Sequence, residues 1–440
     1  MRENKAVKRA DKVPFGKLLA WQTRPISLGA ATIIIGYLSI YCTNTLGMPA
    51  ALVGTLLMAS KIFDGVTDLM AGWIVDNTHT RFGKGRPYEF CIIGVWICMF
   101  ALFATPYEWG TAAKSIWVFI LYTLVWSIFS TMLNAAENPY IIRAFGDKLA
   151  ITKVSAYGGV IITLGCMVVS ITFPMAIANA TSVEGWRKVI LMYAVPLAVL
   201  GILRFLFVKE EKADVQDEVI EKVTLRDILA TLKGNKYMWL LAIASAIPQL
   251  IMGMSAAQYY FTDVVGDLSK YSTIQAFSMV TLLVMVLFPT LMKRFSAMQL
   301  VGGFAAIGLV GYVINFMAGA NTGALIIGFC LSGVAALPTS YMRAPICMQI
   351  SEYNVKQGRA GMVGTIGSVV NFLCKVGQGL GAFVTGALLS ISGYDGTLAA
   401  QSDSAVMMVR MLYSIIPAVL MIVVIYTAVA FRPLDKMQEQ

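Results

Sequence analysis

Lys61, Asp64 and Asp68 are the residues whose types and spacing first call for chemistry. They lie in an apolar run that opens near Ala50 and is otherwise built mainly of Leu, Val, Met, Ile and Trp. Separations of three, four and seven residues put all three on one face of a helix. Each charge would cost about 2.5–3.5 kcal/mol at the centre of a membrane helix. One reading is that Lys61 neutralises one aspartate and the cluster joins helices. The other is a cation site facing a water-filled cavity. Two carboxylates one turn apart can share a hard cation or a proton, and a single lysine leaves the trio net negative, so a cation completes the balance.

Three further places carry buried polarity. Ser130, Thr131, Asn134, Glu137 and Asn138 mark one face of a later apolar run. They form either an interhelical hydrogen-bond seam or a cavity wall, and Glu137 has no charge partner close by on its own helix. Pro338 and Pro345 break another run and free carbonyls that must be satisfied or line a cavity, and Arg343 between them either snorkels or faces that cavity. Lys375 sits in the middle of a run, too far from both ends to snorkel, beside the close-packing stripe Gly377-x3-Gly381. His79 is the single histidine, and the seven cysteines show no Cys-x-x-Cys, which argues against a zinc site or a disulfide framework. No nucleophile–base pair supports an enzyme.

Holding these side chains falls to helices that span a bilayer. Apolar residues make up 58 % of the 440 residues and charged ones 13 %, more apolar surface than a soluble domain can use. Twelve apolar runs approach or exceed the roughly 20 residues needed to span. Their limits are 25–46, 50–75, 88–106, 115–142, 153–180, 187–208, 237–262, 271–293, 297–318, 322–350, 360–391 and 406–431. The net charge of +10 concentrates in the gaps on one side, which fits the positive-inside rule rather than nucleic-acid binding. Residues 1–24, Arg24 included, read as a basic cytoplasmic arm, and the run that follows is too long for a signal core. Both termini are expected in the cytoplasm of a multi-pass cell-membrane protein. The long polar insert divides the chain into an N-terminal six-helix half (1–208), a linker (209–236) and a C-terminal six-helix half (237–440). Thr224 to Asp227 offers a capping box, and Leu225, Ile228, Leu229 and Leu232 repeat as an amphipathic surface helix. The halves share no extended repeat, although Lys293 and Arg294 follow the eighth run where a basic loop follows the second.

That basic loop carries Gly72, Asp76, Arg81, Gly83 and Lys84, followed by Gly85, Arg86 and Pro87. The order Gly-x3-Asp-x4-Arg-x-Gly-Lys resembles the loop between helices 2 and 3 of the major facilitator superfamily. The preceding Lys61-Ile-Phe-Asp64-Gly-Val-Thr67-Asp68 resembles helix 2 of the glycoside–pentoside–hexuronide:cation symporters, the melibiose permease family. Gly185-Trp186-Arg187 and the loop around Glu352 and Arg359 resemble further elements of that family. The resemblance implies an all-α membrane protein of twelve transmembrane helices in two halves, the major facilitator fold. It implies that Thr131 joins Asp64 and Asp68 around the cation, that Thr67 stands where the family has an asparagine, and that Lys375 links cation and sugar sites. The family's galactoside-binding aspartates fall on Leu28 and Asn134, so galactoside recognition is not carried over.

The expectation is a cation-coupled symporter, not an enzyme, taking up a small organic solute, a glycoside or hexuronide, by alternating access. The rivals are the same fold carrying a lysolipid-like or steroid-like amphipath, and a receptor or membrane enzyme without transport. The cation set is Asp64, Asp68, Thr131 and Thr67, with Asp64 and Asp68 as metal ligands if the ion is Na⁺. Lys375, Asn134, Glu137, Arg343 and Lys61 are assigned to the solute. Asp76, Arg81, Lys84 and Arg86 are assigned to a cytoplasmic gate that pairs with the inner ends of neighbouring helices. The expected partners are the solute, a coupling Na⁺ or H⁺ and the lipid bilayer, with no cofactor and no nucleic acid, in a monomer.

Overall fold

A computed structural model gives the structure of the protein and describes residues 14–436, apart from 79, 147, 211–234, part of 278–289, 358–362 and 399. Every named element among the described residues is helical. Eleven helices are long and apolar enough to cross a membrane. The eighth run lies partly outside the described residues, as does the whole amphipathic segment expected over 224–232. Helices are what the composition requires, because hydrocarbon offers backbone N–H and C=O groups no partner outside the segment itself. Large apolar side chains such as Ile97, Val168, Met192 and Tyr426 remain exposed, as lipid-facing residues do.

Contacts divide the chain into two compact units, Met1–Met48 with Ala59–Glu218, and Pro49–Met58 with Val219–Gln440. The first holds α1 (Phe15–Thr45), most of α2 (Ala50–Asp76), α3 (Arg86–Phe103), α4 (Thr111–Phe145), α5 (Lys148–Ile177) and α6 (Val183–Phe207). The second holds α7 (Lys236–Val264), α8 (Ser269–Ala276), α9 (Ala297–Ala318), α10 (Thr322–Ser340), α11 (Val363–Ile391) and α12 (Asp403–Asp435). Polar caps start several of them. Ser182 accepts from the Gly185 N–H, Asn235 from Tyr237 and Met238, and Ser296 forms a capping box with Gln299.

The two units share a device that the sequence hides. α1 ends in a π-helical turn, Tyr41–Thr45, and α7 ends in another, Tyr260–Val264. In the first, Leu46 N–H donates to Tyr41 C=O and Met48 N–H to Cys42 C=O; in the second, Val265 donates to Tyr260 and Asp267 to Phe261. Gly47 (φ 65°) and Gly266 (φ 74°) sit at matching places, in the left-handed region that glycine reaches without strain. Tyr41 Oη donates to Phe103 C=O at the end of α3, and Tyr260 Oη to Gly319 C=O just past α9. The common residues are only Tyr-x-Thr-x3-Gly, too sparse to read as a repeat.

In the second unit α7 and α11 pack backbone against backbone. A Cβ on Gly253 would lie 2.0 Å from the Gln378 carbonyl oxygen, and one on Gly381 2.0 Å from that of Leu250. A Cβ on Gly367 would meet nothing within 4 Å. Gly381→Ala is therefore expected to lower stability by about 1–3 kcal/mol through overpacking, while Gly367→Ala leaves it unchanged or gains up to about 1 kcal/mol of helix propensity. Thermal unfolding in detergent checks this, and equal effects of the two changes would contradict it.

Candidate functional site

Asp64 and Asp68 meet α4 at one hydroxyl. Thr131 Oγ1 lies 3.0 Å from Asp64 Oδ1, 3.0 Å from Asp68 Oδ1 and 3.1 Å from the Trp126 carbonyl oxygen. A hydroxyl owns one proton and can satisfy one of those three acceptors at a time. The result is an oxygen-only cluster with two carboxylates in it, the donor set that hard cations take. The local fold explains how α4 brings this about. Leu124–Ser130 is a π-helical segment, which widens the turn so that the Trp126 carbonyl meets the Thr131 side chain. Such bulges are frequent at functional sites and have no residue-type signature.

Lys61 lies beside the cluster rather than in it. Its Nζ is 3.8 Å from Asp64 Oδ2, the oxygen turned away from Thr131, and 4.0 Å from the Trp126 ring centroid, with Tyr122 at 5.8 Å. The lysine offsets one carboxylate, as the simpler reading had it, and the aromatic faces spread its charge. Asp64 is buried at 3 % exposure, whereas Asp68 is exposed and gives the cluster an open side. Thr67 is not brought in. Its hydroxyl donates to the Asp64 backbone carbonyl at 3.1 Å, the usual fate of a threonine inside a helix. Asn134, one turn beyond Thr131, is exposed.

Glu137, which has no charge partner close by on its own helix, finds two on other helices. It forms a two-pronged ion pair with Arg204, at 2.8 and 3.0 Å, and a second pair with Arg24 Nη2. Glu89 Oε1 lies 3.8 Å from Arg24 Nε and 3.7 Å from Arg204 Nη1, which closes a four-residue network of zero net charge. Arg24, Glu89 and Arg204 are 3, 1 and 0 % exposed, and the Arg204 guanidinium stacks on Trp21 at 3.2 Å. Arg24 thus belongs to the core of the first unit and not to a solvated arm. The partners are far apart in sequence (Arg204 follows Glu137 by 67 residues), so neighbouring positions gave no sign of them.

The loop after α2 closes on another unforeseen residue. The Glu210 carboxylate accepts the backbone N–H groups of Lys84 (2.8 Å), Gly85 (2.8 Å) and Arg86 (2.6 Å). Arg86 donates through Nε and Nη2 to the Phe205 carbonyl at the end of α6. Gly85 has to be glycine here, because a Cβ would lie 2.6 Å from Tyr140 Cβ and 2.7 Å from the Ala136 carbonyl oxygen. Lys84 is buried, while Arg81 is exposed over the Phe82 ring. The side chain of Asp76 and the whole of His79 lie outside the described residues.

The second unit is described by itself. α10 breaks, and a new helix, Arg343–Lys356, starts at Arg343. Arg343 Nη1 donates to Asn371 Oδ1 on α11, while its Nε is buried with no hydrogen-bond partner. Lys375 follows Asn371 by one turn and is half-buried. Asn371 had no distinguishing sign in the sequence beyond its nearness to Lys375.

Membrane-spanning helices and buried charges grouped around side chains open to solvent define a polytopic transport protein. A family model described as MFS/sugar transport protein matches residues 28–436. The chain belongs to this family, the glycoside–pentoside–hexuronide group of the major facilitator superfamily, and is a membrane transporter rather than an enzyme. It is 26 % identical to the isoprimeverose transporter of Lactiplantibacillus pentosus over 88 % of this chain and 82 % of that one. It is 23 % identical to the glucuronide carrier protein homolog of Escherichia coli K12, over 90 % and 88 %. Its fold matches a bacterial homolog of the human lysosomal transporter Spinster, with a TM-score of 0.70, 16 % identity and coverage of 96 % and 97 %. It also matches the xylose transporter XylE of E. coli, with a TM-score of 0.62, 12 % identity and coverage of 94 % of each chain.

The buried network generates a test. Arg204→Gln strips Glu137 and Glu89 of a shared cation and is expected to cost about 3–5 kcal/mol, whereas Arg204→Met with Glu137→Met costs less because no uncompensated charge pair is broken. Thermal unfolding of both variants in detergent decides it, and a double variant less stable than the single one would contradict the ion-pair account.

Proposed function

We propose that the protein is a cation-coupled symporter that takes up a small glycoside or hexuronide by alternating access. The observation that carries this reading is the oxygen cluster of Asp64, Asp68, Thr131 and the Trp126 carbonyl. Two carboxylate oxygens within reach of one hydroxyl repel each other unless a proton or a cation sits between them. Occupying the cluster therefore favours one arrangement of α2 against α4, and a solute that prefers the same arrangement is coupled to the ion, reciprocally. No cofactor is needed, since coupling involves no covalent step, and the ion is Na⁺ or H⁺.

The names of the relatives support the solute class, one an isoprimeverose transporter and one a glucuronide carrier homolog. Lys61, Asn134, Arg343 and Lys375 are the residues we assign to the solute. Arg343, braced by Asn371, suits an acidic group, because a guanidinium binds a carboxylate through two charge-assisted hydrogen bonds. Glu137 is left out of this set, and Thr67 out of the cation set. Lys84 and Arg86, tied down by Glu210 and Phe205, form the cytoplasmic gate together with Arg81 and Asp76. The excess of basic residues in the gaps on one side supports a cytoplasmic location for both termini, and we take the transporting unit to be a monomer in the cell membrane.

Uptake into vesicles tests the whole reading, with a panel of hexosides and hexuronides under imposed Na⁺ or H⁺ gradients. The wild type is expected to accumulate a member of the panel with one gradient and only equilibrate it without. Asp68→Asn is expected to abolish accumulation, by tenfold or more, while exchange survives. Accumulation by the variant equal to wild type would move the coupling site elsewhere.

A further inference from the structure

At the end of the second unit where α9 begins and the helix Arg343–Lys356 and α12 finish, a cleft of about 690 Å³ opens. Three basic residues line it: Lys293 and Arg294 in the turn before α9, and Lys356 in the last turn of its helix. Among the described residues, Lys293 and Arg294 are exposed and make no side-chain hydrogen bond or ion pair. Two acids also line the cleft. Asp435 is buried, with Oδ2 accepting from Ser296 Oγ at 2.7 Å and Oδ1 from Gln349 Nε2 at 2.8 Å. Glu352 is exposed on the wall of the helix Arg343–Lys356.

The first unit shows what the equivalent corner does when it is closed. There the loop after the second span wraps its backbone N–H groups around Glu210, a carboxylate just past α6. In the second unit the carboxylate at the end of the last span turns to two neutral side chains, and among the described residues the corner is a cleft with a basic rim. The remaining walls are apolar. Phe295, Met292 and Met348 line the cleft and are exposed, at 49, 44 and 56 %. A basic rim over an apolar wall, where three membrane segments end, matches a phosphate joined to an acyl chain rather than a free anion.

We propose that this cleft binds the headgroup phosphate of an anionic phospholipid through Lys293, Arg294 and Lys356, with the lipid chain against Phe295, Met292 and Met348. The site shares no residue with the solute and cation sets and does not depend on the symport reading. It would tie the second unit to the anionic leaflet of the membrane.

The test is native mass spectrometry and lipid titration of the full-length protein, with phosphatidylglycerol and phosphatidylcholine as the probes. Each basic group near an anionic surface contributes a factor of about five. The variant Lys293→Gln/Arg294→Gln/Lys356→Gln is therefore expected to weaken phosphatidylglycerol binding by on the order of a hundredfold, to the phosphatidylcholine level. The charge-keeping variant Lys293→Arg/Arg294→Lys/Lys356→Arg is expected to retain it, which guards against misfolding as the cause. Unaltered phosphatidylglycerol affinity in the first variant overturns the proposal, as does equal retention of both lipids by the wild type. Displacement of phosphatidylglycerol by millimolar inorganic phosphate or glycerol phosphate also overturns it, since that marks a site for a soluble anion.

Discussion

A charge inside a low-dielectric bundle has to be compensated, and the first unit answers that constraint in two opposite ways. Arg24, Glu89, Glu137 and Arg204 form a closed set whose charges cancel, with Arg24, Glu89 and Arg204 buried and Glu137 partly exposed. Lys61, Asp64 and Asp68 form an open set that remains negative after its lysine is counted, with Asp68 exposed. The closed set is expensive to break. The open set has a net negative charge that its own residues do not cancel, which is the basis of the proposed cation or proton coupling.

α4 touches both sets. Thr131 and Glu137 stand less than two turns apart on a single helix, so the ion pairs of Glu137 with α1 and α6 fix where the Thr131 hydroxyl sits against α2. The same helix supports the loop after α2, since Gly85 lies against Ala136 and Tyr140. Tyr140 Oη in turn donates to the Val208 carbonyl, two residues before Glu210. The Asp64–Asp68–Thr131 cluster, the ion-pair network and the loop therefore all lean on one helix.

Much of this was legible in the sequence. Run length and apolar content gave the spans, and helical spacing put Asp64 and Asp68 on one face. The loop motif gave the family, which the family model over residues 28–436 bears out. What escaped has physical reasons. Arg24 looked like part of a basic arm because its partners lie in other helices, and Glu137 looked spare for the same reason. Glu210 sits at the start of a polar insert where any acid would look solvated, yet it accepts three backbone N–H groups. The π turn before Thr131 is a hydrogen-bond pattern, not a residue type, and the matched ends of α1 and α7 share too few side chains to be seen as a repeat. Thr67 illustrates the limit of carrying positions over from relatives: its hydroxyl donates to the Asp64 carbonyl of its own helix.

The central claim is that solute binding and cation binding are linked through Asp64 and Asp68. The most direct measurement is equilibrium binding of the transported solute to the purified protein across Na⁺ concentration and pH, with the reciprocal titration of the cation at fixed solute. The account predicts that one cation tightens the solute Kd by roughly 5- to 150-fold, that the solute tightens the cation by the same factor, and that Asp64→Asn removes both effects. A solute Kd indifferent to Na⁺ and pH, or a linkage that survives intact in Asp64→Asn, would contradict it.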